Sequence, residues 1–392
     1  DGRGPAQSAK PPTRPVVLML GILVFGVSYS IAGNIRAKIL GKYSGIVTIL
    51  LNSVAYLVVY FPVLWWRRRQ GIVPAAQMTW TYAWQLPGSE GSGGFWKRAG
   101  GWKYMCLGGL FDCVSQLLQF TSQAYVSLFA QVILHQMNLL CTALWSMALL
   151  QVRYICAEVV GVFLAALGGA IVIFSSVDSG QENRPGYLLM QMAAGIPPAF
   201  VLKEFMFRKW EQRSQPMQRE LLIQPPMRLD IWCVNSAAAL FQLLWVVPIA
   251  FLLAVARNPE GESVSTFLLG AVQCFCNTPS SGCEYAWQTY LIYIVLDMLF
   301  NVGVYMLVRE GSALLTFVTM KAMAPLTAIF ALLPWPIVGA AKLSNTDVLS
   351  LGIVIVGAIV FRYGNIKRDS IVGQTERVCC YPLCGGFRTG SC

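Results

Sequence analysis

The segment LFAQVILHQMNLL (residues 128–140) can be laid against LLTFVTMKAMAPL (314–326), 186 residues later in the chain. A second pair, LFDCVSQ (110–116) and VLDMLFN (295–301), has an offset of 185, and GGAIVIF lies 188 residues before VGAIVFR. Apolar segments resemble one another by chance, so the near-constant offset carries more weight than any single match. It indicates that a unit of five helices is duplicated; the alternative is ten helices without a repeat.

The composition is that of an integral membrane protein. Of the 392 residues, 56% are hydrophobic and only 12% are charged, whereas soluble domains are about one quarter charged. The apolar residues form long blocks, which argues against a soluble enzyme. The net charge of +11 comes from Lys and Arg in the connecting loops, so we interpret it as a topology signal and expect no nucleic-acid partner.

A helix that crosses a bilayer needs about 20 mostly apolar residues. Ten blocks meet this requirement: 15–34, 45–66, 104–122, 127–150, 155–176, 186–207, 231–256, 288–308, 312–335 and 347–363. Because five is odd, a second five-helix copy enters the membrane with the opposite polarity, as in many secondary transporters. We therefore predict an all-α membrane protein with ten transmembrane helices in two inverted five-helix repeats, 15–176 and 186–363.

Lys and Arg residues predict the orientation. Of the 29 Lys and Arg residues, 21 lie on one side of the predicted topology and 6 on the other. Because positively charged loops face the cytosol, the side with 21, which includes both termini, is predicted to be cytosolic. Residues 1–14 are expected to be a disordered cytosolic tail, cut from a longer chain. Residues 364–392 are expected to be a cytosolic, cysteine-containing tail.

The repeat places Asp112 opposite Asp297 and His135 opposite Lys321. A charged Asp at the centre of a membrane helix costs about 2.5–3.5 kcal/mol, so each acid must line a wet cavity, pair with a cation or stay protonated. We predict proton coupling or attraction of a cationic substrate; the alternative is a structural hydrogen bond between helices. Lys321 needs an acid or water, and either acid is a candidate partner.

His135 is the only histidine, and its ordinary pKa of about 6.5 would let an acidic compartment change its charge. Gln131, His135 and Asn138 follow helical spacing and form one polar stripe, with Gln136 beside it. We predict that these residues line a cavity and that His135 takes part in proton coupling; the alternative is a hydrogen-bonded packing histidine. Without a second histidine, we expect no metal site.

Glu204 ends the sixth block and lies next to Lys203. These two side chains are explained by snorkelling to the interface or by a place at the mouth of a cavity. Asn301 is a weaker candidate for the cavity.

Several segments together resemble the chloroquine-resistance-transporter family, a branch of the drug/metabolite transporter superfamily. They are FDCVSQLLQF, AYVSLFAQVILHQ, GIPPAFVLKEFMFRKW, CEYAWQTY and FRYGNIK, and the resemblance spans about residues 15–368. It implies a drug/metabolite transporter fold with a central cavity. It also implies proton- and potential-driven export of cationic or zwitterionic solutes from an acidic compartment, in a vacuolar or lysosome-like membrane. Plant relatives are associated with thiol peptides such as glutathione in plastids, which is the alternative.

The resemblance also assigns roles to single residues. The substrate-discriminating position of the first helix falls on Ser30, or on Asn34 if NIRAK is the anchor, and neither is the lysine of the parasite form. It supports Glu204 at the mouth of the cavity. In the loop CFCNTPSSGC it favours a disulfide between Cys274 and Cys283.

The predicted function is secondary-active transport of small cationic or zwitterionic solutes (amino acids, small peptides, drugs) by alternating access. A channel is the further alternative, because the polar stripe could line a pore. No HExxH or GxSxG motif is present, so we predict that the chain is not an enzyme, and we expect no cofactor. The expected partners are the solute, protons and membrane lipid, around a monomer or, alternatively, a dimer.

Overall fold

The computed structural model describes residues 13–83, 100–135, 137–152, 154–177, 184–221, 229–256, 263–278, 283–310, 313–335, 337, 339 and 345–378. In this part of the chain the structure is all-helical, without a β-strand. The helices are α1 (Thr13–Leu40), α2 (Ser44–Arg69), α3 (Ala75–Tyr82), α4 (Trp102–Gln123), α5 (Leu128–Leu134), α6 (Met137–Leu150), α7 (Cys156–Val177), α8 (Arg184–Ala193), α9 (Ala199–Leu221), α10 (Ile231–Ala256), α11 (Val264–Phe275), α12 (Ala286–Glu310), α13 (Ala313–Phe330) and α14 (Asn345–Val378).

The outer surface of the helices is apolar. Large side chains such as Phe163, Phe174 and Leu244 are 70%, 72% and 61% exposed, which suits contact with lipid tails and not with water. In the described residues, four stretches are long and apolar enough to cross a membrane: Val16–Arg69, Cys156–Phe174, Ile231–Leu252 and Ala286–Val304. The protein is therefore an all-helical membrane protein.

Two of the predicted membrane blocks are interrupted. The block 127–150 is divided into α5 and α6 at His135, and the block 186–207 is divided into α8 and α9 before Pro198. The expectation that Gln131, His135 and Asn138 share one continuous helix is therefore wrong. Proline removes a backbone donor and crowds the preceding turn, which explains the second break.

The two breaks lie against each other. Trp145 Nε1 on α6 donates to the carbonyl oxygen of Ile196, 2.7 Å away. A Cβ added to Gly195 would collide with the side chain of Asn138, so glycine is required for this close approach.

Several helix ends differ from the predicted blocks. α1 continues to Leu40, so Arg36 and Lys38, which follow the predicted block 15–34, lie in a helix. α14 continues to Val378, well past residue 363, and the end of the predicted C-terminal tail, 379–392, lies outside the described residues, as does most of the predicted N-terminal tail. α3 and α11 are additional short helices within predicted loops. Block length alone does not predict these features, because hydropathy is a local average.

The small-residue faces of α7 and α14 pack against each other within the chain. A Cβ added to Gly161 would lie 2.6 Å from the carbonyl oxygen of Gly357, and Ser350 Oγ donates to the Gly168 carbonyl oxygen over 2.5 Å. Elsewhere α1 packs on α12 and α13, and α10 packs on α2 and α4. The facing surfaces of α1, α2, α4 and α12 enclose most of the buried polar groups discussed below.

Candidate functional site

A buried polar cluster lies between α12 and the helices α1, α2 and α4. On α12 its residues are Tyr290, Tyr293, Asp297 and Asn301. The spacing of three and four residues puts these side chains on one helix face. This face meets polar side chains of α1 and α2 within an otherwise apolar bundle.

Asp297 is the acid of this cluster. It is only 4% exposed, and its carboxylate accepts a hydrogen bond from Tyr56 Oη. Asn301 Nδ2 donates to Asp297 Oδ1 over 3.1 Å and to the Asp297 carbonyl oxygen over 2.9 Å. Asp297 forms no ion pair with any described Lys or Arg. The acid is thus held by neutral donors.

Arg36 brings a cation into the same cluster, and the sequence analysis missed it. Its side chain is completely buried, and Nη2 donates to Gln123 Oε1 over 3.0 Å. The guanidinium carbon lies 3.8 Å from the ring centroid of Tyr293 and 4.8 Å from that of Phe120. The missed signal was the run AKIL after Arg36, which prolongs the helix beyond the block limit of 34.

A neutral network connects α2 to α12 beside these charges. Tyr290 Oη donates to Asn52 Oδ1 over 3.1 Å, and Asn52 Nδ2 donates to Tyr293 Oη over 3.2 Å. Both tyrosines are buried. Isolated tyrosines in an apolar block carry no sequence signal of a polar role, since they also serve as packing residues.

His135 belongs to a second polar group, which lies at the break between α5 and α6. Its Nδ1 is 3.3 Å from Asn138 Nδ2, and its Nε2 is 3.3 Å from Gln191 Nε2 on α8. Ser122 Oγ donates to Gln191 Oε1 over 2.5 Å. Gln131 Nε2 donates to the carbonyl oxygens of Gln123 and Val126 over 3.0 and 2.8 Å, which satisfies backbone groups at the end of α4.

Asp112 is paired with a partner that the sequence analysis did not propose. Lys203 Nζ lies 2.7 Å from Asp112 Oδ2, and the two side chains are 16% and 14% exposed. Lys203 therefore joins α9 to α4, and its interpretation as a snorkelling side chain is corrected. Glu204 is about half exposed and pairs with Arg208 on its own helix over 2.7 Å; its place at the mouth of a cavity stays a prediction.

The other predicted residues are placed as follows. Ser30 Oγ donates to the Gly26 carbonyl oxygen over 2.9 Å, and Asn34 is fully buried. Gln136 and the side chain of Lys321 lie outside the described residues, although Lys321 belongs to α13. The structure joins Cys274 to Cys283 by a disulfide.

Comparison with known proteins gives a consistent result. Residues 96–361 match the family described as CRT-like, chloroquine-resistance transporter-like. Protein CLT2, chloroplastic, of Arabidopsis thaliana is 26% identical over 321 residues, which are 79% of this chain and 67% of the relative. Protein CLT3, chloroplastic, of the same plant is 22% identical over 335 residues, 82% of this chain and 68% of the relative.

A third relative is the chloroquine resistance transporter of Toxoplasma gondii. It is 25% identical over 288 residues, which are 66% of this chain but only 30% of that longer protein. The family match covers well over half of the 392 residues and includes Asp112, Lys203 and Asp297. With its apolar helices and buried charges, the chain belongs to the CRT-like, chloroquine-resistance transporter-like family, and it is a membrane transporter, not an enzyme.

Proposed function

We propose that this transporter is a secondary-active carrier of small zwitterionic or cationic organic solutes such as amino acids, small peptides and drugs. Protons and the membrane potential would drive it, and it would work by alternating access. The observation that carries the proposal is Asp297, an acid 4% exposed on an apolar helix and held, among the described side chains, by the neutral hydrogen-bond donors Tyr56 and Asn301. Ionisable residues inside the membrane are costly, and they typically mark the path of substrates or ions.

Asp297 suits proton coupling better than Asp112 does. Among the described residues Asp297 has no ion pair to lose on protonation, whereas protonation of Asp112 would leave Lys203 without its 2.7 Å partner. A proton and a solute ammonium group can therefore exchange at Asp297 at low cost. His135, surrounded by the amides of Asn138 and Gln191, is the second candidate for coupling.

Helix packing supports an inverted repeat, the build of many transporters that work by alternating access. With α3 and α11 set aside and the two broken helices counted as one each, the described helices correspond to the ten predicted blocks. The first block (α1) packs on the eighth and ninth, α12 and α13; the sixth (α8 and α9) packs on the third and fourth, α4 and α5–α6. In the proposed repeat the first block corresponds to the sixth, the third to the eighth and the fourth to the ninth. These contacts therefore stay the same when the two halves are exchanged. The cation–acid arrangement follows it, with Lys203 beside Asp112 and Arg36 near Asp297.

We further propose a plastid membrane as the location, in preference to a vacuolar or lysosome-like one. The support is that three Arabidopsis relatives are named chloroplastic. Within the proposed solute class, a thiol peptide such as glutathione is then a candidate. Expression of a fluorescent fusion in leaf cells tests the location, and protease protection of tagged termini tests whether both face the cytosol.

Purified protein in proteoliposomes with an acidic interior tests the function. Movement of lysine, alanylalanine, glutathione and chloroquine is followed in both directions, with and without a membrane potential. We expect saturable transport of at least one solute, counterflow, and stimulation by the pH gradient. Failure of all four solutes would contradict the proposal, and unitary currents would favour a channel.

Asp297→Asn is the decisive variant in this assay. We expect it to exchange solute with a raised KM, because the amide no longer attracts the ammonium group, and to lose stimulation by the pH gradient. The control is Asp230→Asn, which removes an acid that pairs with Arg67 over 2.7 Å at the start of α10; this variant should remain gradient-dependent. Equal gradient dependence of Asp297→Asn and the wild type would refute the coupling role.

A further inference from the structure

Arg36 has hydrogen-bonding capacity that the described protein does not use. Its side chain is fully buried, yet Nε and Nη1 have no hydrogen-bond partner among the described residues. Guanidinium groups stay charged in proteins, and buried ones are normally paired with carboxylates or other acceptors. Nη2 donates to Gln123, which is a neutral amide, and the guanidinium also contacts the side chain of Tyr293. A buried cation with two unused nitrogens calls for an anion.

Other buried groups without a described partner occur on the neighbouring helices. Four further buried residues near the end of α1, the start of α2 and the end of α4 have side-chain polar atoms without a partner among the described residues: Asn34, Ser44, Thr48 and Thr121. Thr121 lies against Gly45, and Gln123, two residues later, holds Arg36. We call this region the α1–α2 corner. Unpaired buried polar atoms are rare in proteins, so several in one corner indicate a place for a polar ligand.

An acid stands at a suitable distance from this corner. Arg36 lies over the ring of Tyr293, and Asp297 follows Tyr293 by four residues, a rise of about 6 Å along α12. The two charges influence each other electrostatically, but they form no ion pair. In the other half of the chain, Lys203 and Asp112 are in direct contact at 2.7 Å. Lys203 and Asp112 thus form an ion pair, whereas Arg36 and Asp297 do not.

We propose that Arg36 binds the carboxylate of a zwitterionic solute, donating from the nitrogens that the protein leaves unpartnered, while Asp297 holds the solute's ammonium group. This inference rests on the proposed function and adds the group that recognises the anionic end. It excludes purely cationic solutes as the best substrates, because they would leave the charge of Arg36 uncompensated.

The test uses pairs of solutes that differ only in the carboxylate. The assay measures solute exchange in the proteoliposomes, at equal pH on both sides and zero potential. Lysine and lysinamide are compared as inhibitors of this exchange, and so are alanylalanine and its amide. We expect the wild type to prefer each acid over its amide by at least about thirtyfold, the effect of removing one partner of a buried charge pair. In Arg36→Gln the preference should fall to about one, and Arg36→Lys should restore part of it.

Arg69→Gln is the matched control. Arg69 also lies over an aromatic ring, that of Trp65, at 3.8 Å, but it is exposed at the end of α2. This variant should keep the full preference for the acids. A preference that survives in Arg36→Gln, or falls equally in Arg69→Gln, would overturn the assignment.

Two further outcomes keep the two proposals apart. Transport of chloroquine without inhibition by either acid would overturn the carboxylate site and leave the carrier intact, whereas no movement of any of the four solutes would overturn the proposed function itself. If Arg36→Gln does not fold, the wild type decides, because equal inhibition by acid and amide contradicts the inference.

Discussion

Replacement of Lys203 by Gln would leave the carboxylate of Asp112 unpaired in a mostly buried position. At 2.7 Å the gross attraction in an effective dielectric of about 20 is about 6 kcal/mol. Desolvation of the two ions offsets much of this value, and removal of one partner of a buried pair typically costs about 3–5 kcal/mol. Because the side chains are 16% and 14% exposed and the carboxylate can take up a proton, we expect the lower end, about 3 kcal/mol.

A double-mutant cycle isolates the pair. Lys203→Gln, Asp112→Asn and the double variant are unfolded reversibly in mixed detergent micelles, with tryptophan fluorescence as the signal. Each single variant loses some of the free energy of unfolding. We expect the two single losses to sum to about 2 kcal/mol more than the loss in the double variant, and this difference is the coupling free energy of the pair. The neighbouring Glu204–Arg208 pair has the same 2.7 Å separation but is about half exposed, so its coupling should be about 0.3–0.5 kcal/mol. Equal coupling in the two pairs would refute the argument that burial decides the strength.

Two further predictions concern packing and the disulfide. Gly161→Ala should lower the free energy of unfolding by about 1–3 kcal/mol, because the added Cβ meets the backbone of the facing helix. Gly352→Ala is the control and should cause no loss, because no atom lies within 4 Å of its added Cβ. Equal stability of the two variants in the unfolding assay would contradict this packing. Maleimide labelling of the denatured protein, read by peptide mass, should modify only Cys276 among the cysteines between 274 and 283, and reduction should add Cys274 and Cys283. Labelling of all three before reduction would exclude the disulfide.

The helical part of the fold was predictable because hydropathy is a local property. Apolar blocks of about 20 residues predicted the positions of the long helices, whereas the equivalence of Asp112 and Asp297, which rests on the repeat offset, stays a prediction. The motifs from FDCVSQLLQF to FRYGNIK predicted the family, which the match over 96–361 confirms.

The pairing of charges was not predictable, because it depends on contacts between distant parts of the chain. Asp112 and Lys203 are 91 residues apart, and no local pattern joins them. Arg36 was missed because its helix is longer than its apolar block. The break at His135 was missed because helical spacing continues through it in the sequence, whereas the structure interrupts the helix there.

The facing breaks between α5 and α6 and between α8 and α9 have a mechanical consequence. A continuous helix such as α10 bends only if its backbone hydrogen bonds stretch or open, and each one resists. At the two breaks the regular ladder gives way to shorter-range bonds, such as those from the backbone nitrogens of Asn138 and Gly195 to carbonyl oxygens three residues earlier, so we expect α5 and α8 to tilt more easily than a continuous helix bends. Amide hydrogen exchange should therefore be fastest around residues 135–138 and 194–198 and slow through α10. The contact of His135 with Gln191 joins the two interrupted segments, so we expect a tilt of α5 in the first half of the chain to be passed on to α8 in the second half.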